Sequence, residues 1–293
     1  MIEAIAQNLV FGILLGALYG LAAVGIAMVF GVTKFLNVAH GELLMFGGYA
    51  TFWLFSLFDL DPFLSLPLTI IFLVLIGIVL YQLLFVRMVK LSEEEKIKNT
   101  MLIGFGLTLI LQNIALNLWT ANDRSVTPSY AGEAFTLLGV RFPYVRVAGL
   151  VISLVCLFAL QQFLRKTYIG KAIRATAEDW EAASLVGIDV QKVYLLSFLL
   201  GTALAGVAGT LVLVSYSVSP SIGLSWTLKS LIVMVLGGVG NFMGTFVGGI
   251  LLGATESATA FFISGNYREV VGLIFFLLVL IFRPQGLFGA KER

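Results

Sequence analysis

Residues 174–193 read RATAEDWEAASLVGIDVQKV, and they divide two apolar runs, VAGLVISLVCLFALQQFL (147–164) and VYLLSFLLGTALAGVAGTLVLVS (193–215). Each run approaches or exceeds the length of about 20 residues that a helix needs to cross a hydrocarbon core. A charged, helix-forming segment between them reads as an elbow: the chain leaves a membrane, turns at its surface and goes back in. Working outward, further apolar runs lie near 8–31, 41–58, 64–86, 100–119, 222–239, 243–263 and 268–283. They leave no room for a soluble domain, so residues 1–293 form a single transmembrane domain with the loop 165–192 inside it. Composition agrees, with 59% hydrophobic and only 12% charged residues, against about 25% charged in soluble domains. The fold expected is an all-α polytopic integral membrane protein of eight or nine transmembrane helices, including a glycine-broken hairpin. The first run lacks a basic leader and a cleavage site and exceeds a signal peptide's apolar core, so it counts as a span.

Charge sets the orientation. Placing Lys34, Arg87–Lys98, Arg165–Lys192 and the tail from Arg283 on one side leaves only Arg124, Arg141, Arg146, Lys229 and Arg268 of the 18 Lys and Arg residues on the other. Basic residues near span ends stay in the cytoplasm, which puts the 174–193 segment and the C-terminus inside. Residues 222–263 must then cross twice, giving nine crossings and an external N-terminus, or be re-entrant, which changes the count. A net charge of +2 offers nothing to nucleic acid, and the single cysteine, Cys156, excludes an internal disulfide and a thiol metal site.

Small residues recur at four-residue spacing: Gly12, Gly16 and Gly20, then Gly201, Ala205 and Gly209, then Gly249 and Gly253. Such positions share a helix face and let backbones approach closely, within the bundle or against a partner subunit. The segment VLGGVGNFMGTFVGG (235–249) holds six glycines, too many for a continuous helix. Its break, with Gly238 and Gly240 at the centre, reads either as a structural hairpin or as part of a transport path, where irregular backbone is tolerated.

Polar groups in apolar segments need partners, a cavity or a neutral state. Asn37, the only histidine His40, and Glu42 stand together at the start of the second run, with Gln112, Asn113 and Asn117 in the fourth and Glu256 in the eighth. Two readings stand for the first group: Asn37 caps the following helix and Glu42 suits its dipole, or the three line a path. Glu256 is likewise a hydrogen-bonded structural carboxyl or a path residue. One histidine excludes a plausible metal set.

In the opening segment, Thr176 and Asp179 form a capping-box pattern, Glu178 and Asp179 occupy the first helical turn, and Gly187 supplies a left-handed stop. A helix over 177–186 is expected, with Asp189 capping the next one. Trp180, Ala182, Ala183, Leu185, Val186 and Ile188 are more apolar material than a solvated helix requires. They pack under the chain's own surface or fill a partner's groove.

The stretch EAASLVG (181–187) matches the EAA-x3-G pattern of permease subunits of bacterial ABC importers. With TKFLNVAHGELLMFGGY (33–49), GKAIRATAEDWEAASLVGI (170–188), VLGGVGNFMGTFVGGILLGATES (235–257) and FRPQGLFG (282–289), the whole chain resembles the branched-chain amino acid permeases of LivH type. The resemblance implies a non-catalytic subunit of a high-affinity inner-membrane importer, working with a homologous LivM-type permease, two cytoplasmic ATPase subunits and a periplasmic binding protein. It implies ATPase coupling through Glu178, Trp180, Glu181, Ala182, Ala183, Leu185 and Gly187. The candidate path residues are Asn37, His40, Glu42, Gln112, Asn113, Gly238, Gly240 and Glu256. Membrane lipid is the remaining partner. No cofactor is expected on this chain: it has no G-x4-G-K-[ST] loop, and ATP is used by the partners. Similar permeases for urea or short amides share these motifs, and the family leaves substrate choice largely to the binding protein. From other classes, His40, Glu42 and Glu256 would serve a proton relay in an ion-coupled carrier. Gly238-Val239-Gly240-Asn241 approaches an intramembrane protease motif, but asparagine cannot act as its acid or base.

Overall fold

The computed structural model describes residues 2–289; Lys291 and Arg293, part of the basic tail above, lie outside them. Helix α1 (Ile2–Thr33) leads through an irregular linker to α2 (His40–Phe58). Helix α3 (Leu66–Leu80) continues through a π turn (Tyr81–Phe85) and a 3-10 turn (Val86–Met88) toward α4 (Glu93–Trp119). Strands β1 (Ala134–Leu137) and β2 (Val140–Pro143) precede α5 (Tyr144–Lys166), and the elbow follows as α6 (Tyr168–Glu178) and α7 (Trp180–Leu185). The chain ends with α8 (Val190–Ser215), α9 (Ile222–Gly237), α10 (Phe242–Phe262) and α11 (Arg268–Phe282). Among the described residues, eight helices are long and apolar enough to cross a membrane, and α9 is a shorter apolar helix.

The strands form an antiparallel hairpin that the all-α reading did not foresee. Its Leu138-Gly139 turn has φ of 51° and 79°, the paired positive angles of a tight hairpin turn. Gln7 ties it to α1 by donating to the Arg141 carbonyl at 2.8 Å and accepting from its amide at 2.7 Å. This end of the bundle is called the hairpin end; the opposite one, where α6 and α7 sit, is the elbow end.

Helices α1 and α8 form the centre, while α3, α4, α5 and α11 show most of their surface outward. Backbone proximity explains the small-residue stripes. Gly12, Gly16 and Gly20 meet α10: a Cβ on Gly16 would come within 2.6 Å of Ile250 Cα, and one on Gly253 within 2.5 Å of Gly16 Cα. The second seam joins α2 to α8, where a Cβ on Gly47 would lie 2.8 Å from Gly206 Cα. These stripes therefore serve packing inside the bundle, where close approach supplies dispersion contacts that lipid tails do not replace.

The glycine-rich segment is broken at one point only. Helix α9 runs unbroken to Gly237, and the turn uses Gly238 and Gly240 at φ of 101° and 82°. Gly244, Gly248 and Gly249 belong to α10. Asn241 caps that helix, its Oδ1 accepting from the Gly244 amide at 2.9 Å while Nδ2 donates to the Phe288 carbonyl at 2.9 Å. The near-match to a protease motif is thus a helix cap.

Gly253→Leu should wedge α1 from α10, because its side chain has no space to enter without backbone movement. Overpacking costs about 1–3 kcal/mol where neighbours can yield, and here the neighbour is backbone. A lower melting temperature in detergent, followed by size-exclusion of the folded peak, is expected; an unchanged melt contradicts the seam.

Candidate functional site

The second span starts deep in the bundle. His40 Nε2 lies 3.1 Å from the Ala22 carbonyl, and Ala22 is eleven residues before the end of α1, about 16 Å at 1.5 Å per residue. After α1 the chain therefore folds back as irregular, non-helical backbone over residues 34–39, starting from a left-handed Lys34 (φ 59°) and ending in a turn at Val38–Ala39, with Phe35, Asn37, Val38 and Ala39 buried. Non-helical backbone at such depth requires partners supplied by protein.

Hydroxyls and one amide supply them. Thr33 Oγ1 accepts from Phe35 N at 3.0 Å, Thr100 Oγ1 from Leu36 N at 2.9 Å, and Asn37 Oδ1 from Ala39 N at 3.1 Å. Thr227 of α9 does two jobs, donating to the Val38 carbonyl at 2.8 Å and accepting from Gly41 N at 2.8 Å. Ala39, without a side-chain cap, is the residue that precedes α2. Asn37 is thus not the helix cap that the sequence suggested, but closes a turn two residues earlier.

The first turns of α2 and α9 meet at this break. Glu42, 1% exposed, lies against Gly223, where any Cβ would overlap its carboxylate. Two helix N-termini thus face one buried carboxyl. Glu42 Oε2, His40 Nδ1 and Asn37 Nδ2 are buried without a protein hydrogen-bond partner among the described residues, leaving unused polar capacity in the bundle's interior.

The other candidate path residues lie elsewhere. Glu256 belongs to an ion cluster nearer the hairpin end, accepting from Tyr19 OH at 2.9 Å and pairing with Lys229 at 3.3 Å and Arg268 at 3.4 Å. Gly238 and Gly240 are at the elbow end, where Gly240 and Glu178 line a cleft of about 530 Å³ between the α9–α10 turn and α5–α6. On α4, Gln112 is half-buried and Asn113 exposed; Asn113 and Asn117 each donate at 2.8 Å to a carbonyl one turn back. Those asparagines face outward, away from the break.

At the elbow, the single helix over 177–186 proves to be two. Thr176 is buried inside α6 rather than capping. Asp179 is the cap, its Oδ1 accepting from Glu181 N and Ala182 N at 2.9 Å each, so the chain bends at Asp179. Gly187, at φ 88°, ends α7 as expected: its amide donates to Ser184 O, and that of Ile188 to Ala183 O, both at 3.1 Å, the paired bonds of a Schellman stop. Asp189 then caps α8 through Lys192 N at 3.1 Å. Hydrogen bonding to Lys192 holds the Asp189 carboxyl below the usual carboxylate range. The cap's contribution is accordingly present at neutral pH and is lost as pH falls through that depressed value.

The elbow's apolar residues divide into some that pack under the chain's own surface and some that project from it. Ala183 is buried and Trp180 half-buried, with Lys96 Nζ 4.6 Å from the Trp180 ring centroid and 5.1 Å from that of Tyr194. Glu178, Glu181 and Ala182 are exposed, and Leu185 and Val186 project at 87% and 78% exposure. Lys96, Thr100, Thr227, Lys229 and Tyr19 escaped the sequence reading. Hydroxyls in apolar runs look like ordinary packing, and Lys229 was counted only as a flanking charge.

A family described as the branched-chain amino acid transport system / permease component matches residues 8–282. The chain belongs to that family. It is 30% identical to the high-affinity branched-chain amino acid transport system permease protein BraD of Pseudomonas aeruginosa, over 98% of this chain and 96% of that one. Identity with LivH of Escherichia coli, whose full description is the same, is 28% over the same shares. The solved structure of PsaBC from Streptococcus pneumoniae in complex with Fab superposes with a TM-score of 0.51 at 14% identity, covering 97% of each chain. That likeness shows a shared fold.

Replacing Thr227 by Val keeps the shape of the side chain but strands Gly41 N and Val38 O, at about 1–3 kcal/mol for each buried group. Thr227→Val should melt well below the wild type, with Thr227→Ser close to it, in a thermal unfolding series. Equal melts for all three contradict the role given to this hydroxyl.

Proposed function

We propose that this chain is the transmembrane permease subunit of an ATP-driven importer of branched-chain amino acids, with ATP hydrolysed by separate ATPase subunits. Family membership over nearly the whole chain supports the transport role, and the names of the relatives support the substrate class. The elbow end is cytoplasmic and the C-terminus with it, because most Lys and Arg residues gather there. The hairpin end faces the periplasm across the inner membrane, where a binding protein would deliver substrate. A second, LivM-type permease completes the membrane part.

The single observation that carries the coupling is the tip of the elbow. Leu185 and Val186 project from α7 and its end, 87% and 78% exposed, yet they are held by a rigid frame: an Asp cap before them, a Schellman stop and a second Asp cap after them. A large apolar side chain on a stiff cytoplasmic turn, flanked by Glu178 and Glu181, suits insertion into a groove. Trp180 and Ala183 anchor the other face to the bundle, and α8 follows directly, so displacement of the elbow passes to α8. Through Gly47–Gly206, α8 carries that movement to α2 and its buried break. Alternating access then follows from sliding along glycine seams, with substrate passing among apolar side chains.

Leu185→Glu tests this. With the complete importer co-expressed, the variant should insert and fold as the wild type does, since Leu185 touches little, but lose co-purifying ATPase and at least tenfold of leucine uptake. Stoichiometric ATPase with normal uptake would contradict it.

A further inference from the structure

At the hairpin end a cavity of about 550 Å³ opens between α1, the end of α8, α9 and the start of α11. This lies in the range of about 300–1,000 Å³ typical of small-molecule sites. Its wall is divided by chemistry. Leu15, Ile222 and Trp226 give an apolar part, and Lys229, Arg268 and Glu269 a charged part.

The charges form a neutral set with one loose member. Behind the cavity wall, Glu256 is held by Tyr19, Lys229 and Arg268, and its side chain is 3% exposed. Glu269, by contrast, is 68% exposed and has one ion-pair partner, Lys229 at 3.3 Å. Arg268 Nε is buried without a protein hydrogen-bond partner among the described residues. Within this cluster two cations and two carboxylates balance, with Arg146 outside it against the wall residue Tyr216, so a ligand that displaced one member without replacing its charge would leave another unpaired in this partly enclosed place. A zwitterion would not.

We infer that this cavity is a subsite for the free amino acid, in which the zwitterion inserts head-to-tail between Lys229 and Glu269. The substrate carboxylate takes the place of Glu269 on Lys229 and reaches the Arg268 N–H; the substrate ammonium pairs with Glu269. One exposed ion pair becomes two, and the aliphatic side chain rests against Leu15, Ile222 and Trp226. Glu256 does not touch the substrate. It holds Lys229 and Arg268 in place, which makes it a positioning residue. The inference deepens the proposed function and rests on it: the permease would read the amino and carboxylate groups at its outer mouth, in addition to whatever selection a binding protein performs.

The test uses the complete importer, purified in detergent and without binding protein. Binding of radiolabelled leucine is measured with 4-methylpentanoate, which lacks the ammonium, and 3-methylbutylamine, which lacks the carboxylate, as competitors. Saturable leucine binding that neither competitor displaces at tenfold excess is expected. Glu269→Gln should weaken leucine binding at least tenfold. Displacement by 4-methylpentanoate as effective as by unlabelled leucine would overturn the assignment, as would leucine binding by Glu269→Gln within twofold of wild type. The competition needs no variant, so it decides even where Glu269→Gln fails to fold. Uptake by vesicles supplied with binding protein separates the two levels. Normal leucine uptake by the wild type and by Glu269→Gln alike overturns the subsite and leaves the importer standing, whereas no uptake by the wild type overturns both.

Discussion

Backbone amides and carbonyls inside a membrane have no water to turn to, and this bundle meets that demand at the deep break before α2 by lending side-chain hydroxyls. Residues 34–39 run as irregular backbone through the interior, and Thr33 from the end of α1, with Thr100 and Thr227 from distant helices, takes up groups that a helix would have satisfied for itself. Because Thr227 bonds on both sides of the break, the start of α2 is fixed against the start of α9. That meeting brings two positive helix ends to Glu42 and sets the depth at which the polar interior lies.

The rest of the architecture follows from how near the backbones come. Glycines on α1 and α10 bring those helices into contact, and α2 meets α8 the same way. Dispersion between the close backbones holds these seams, and side-chain hydrogen bonds cross them: Tyr19–Glu256 and Asn8–Ser257 join α1 to α10, and Thr51–Thr210 joins α2 to α8. The elbow is built differently. Two aspartate caps and a glycine stop fix its bends, and α8 follows directly from the last of them.

Much of this was legible in the sequence, for reasons that differ element by element. Spans show because lipid demands long apolar runs, and Gly187 and Asp189 show because caps depend on residues only a few positions away. Thr176 misled for the same reason: a local pattern fitted it, but its burial against the bundle won and the bend moved to Asp179. The irregular stretch before His40 left no local trace, since its partners Thr100 and Thr227 lie far away in the sequence. Asn113 and Asn117 attracted attention as polar residues in an apolar run, yet each donates to a carbonyl one turn back and needs no path to explain it. The charged cavity was hidden by counting: Lys229 and Arg268 register as flanking charges until the fold brings them to Glu256.

The central claim is that the break at residues 34–39 is a fixed element of the membrane interior, held by hydrogen bonds from the amides of Phe35, Leu36, Ala39 and Gly41. Hydrogen-exchange mass spectrometry of the protein in lipid nanodiscs tests it directly. The account predicts that the amides of Phe35, Leu36, Ala39 and Gly41 exchange as slowly as those in the middle of α1. Exchange on the timescale of the exposed loop around Gly132 would contradict it.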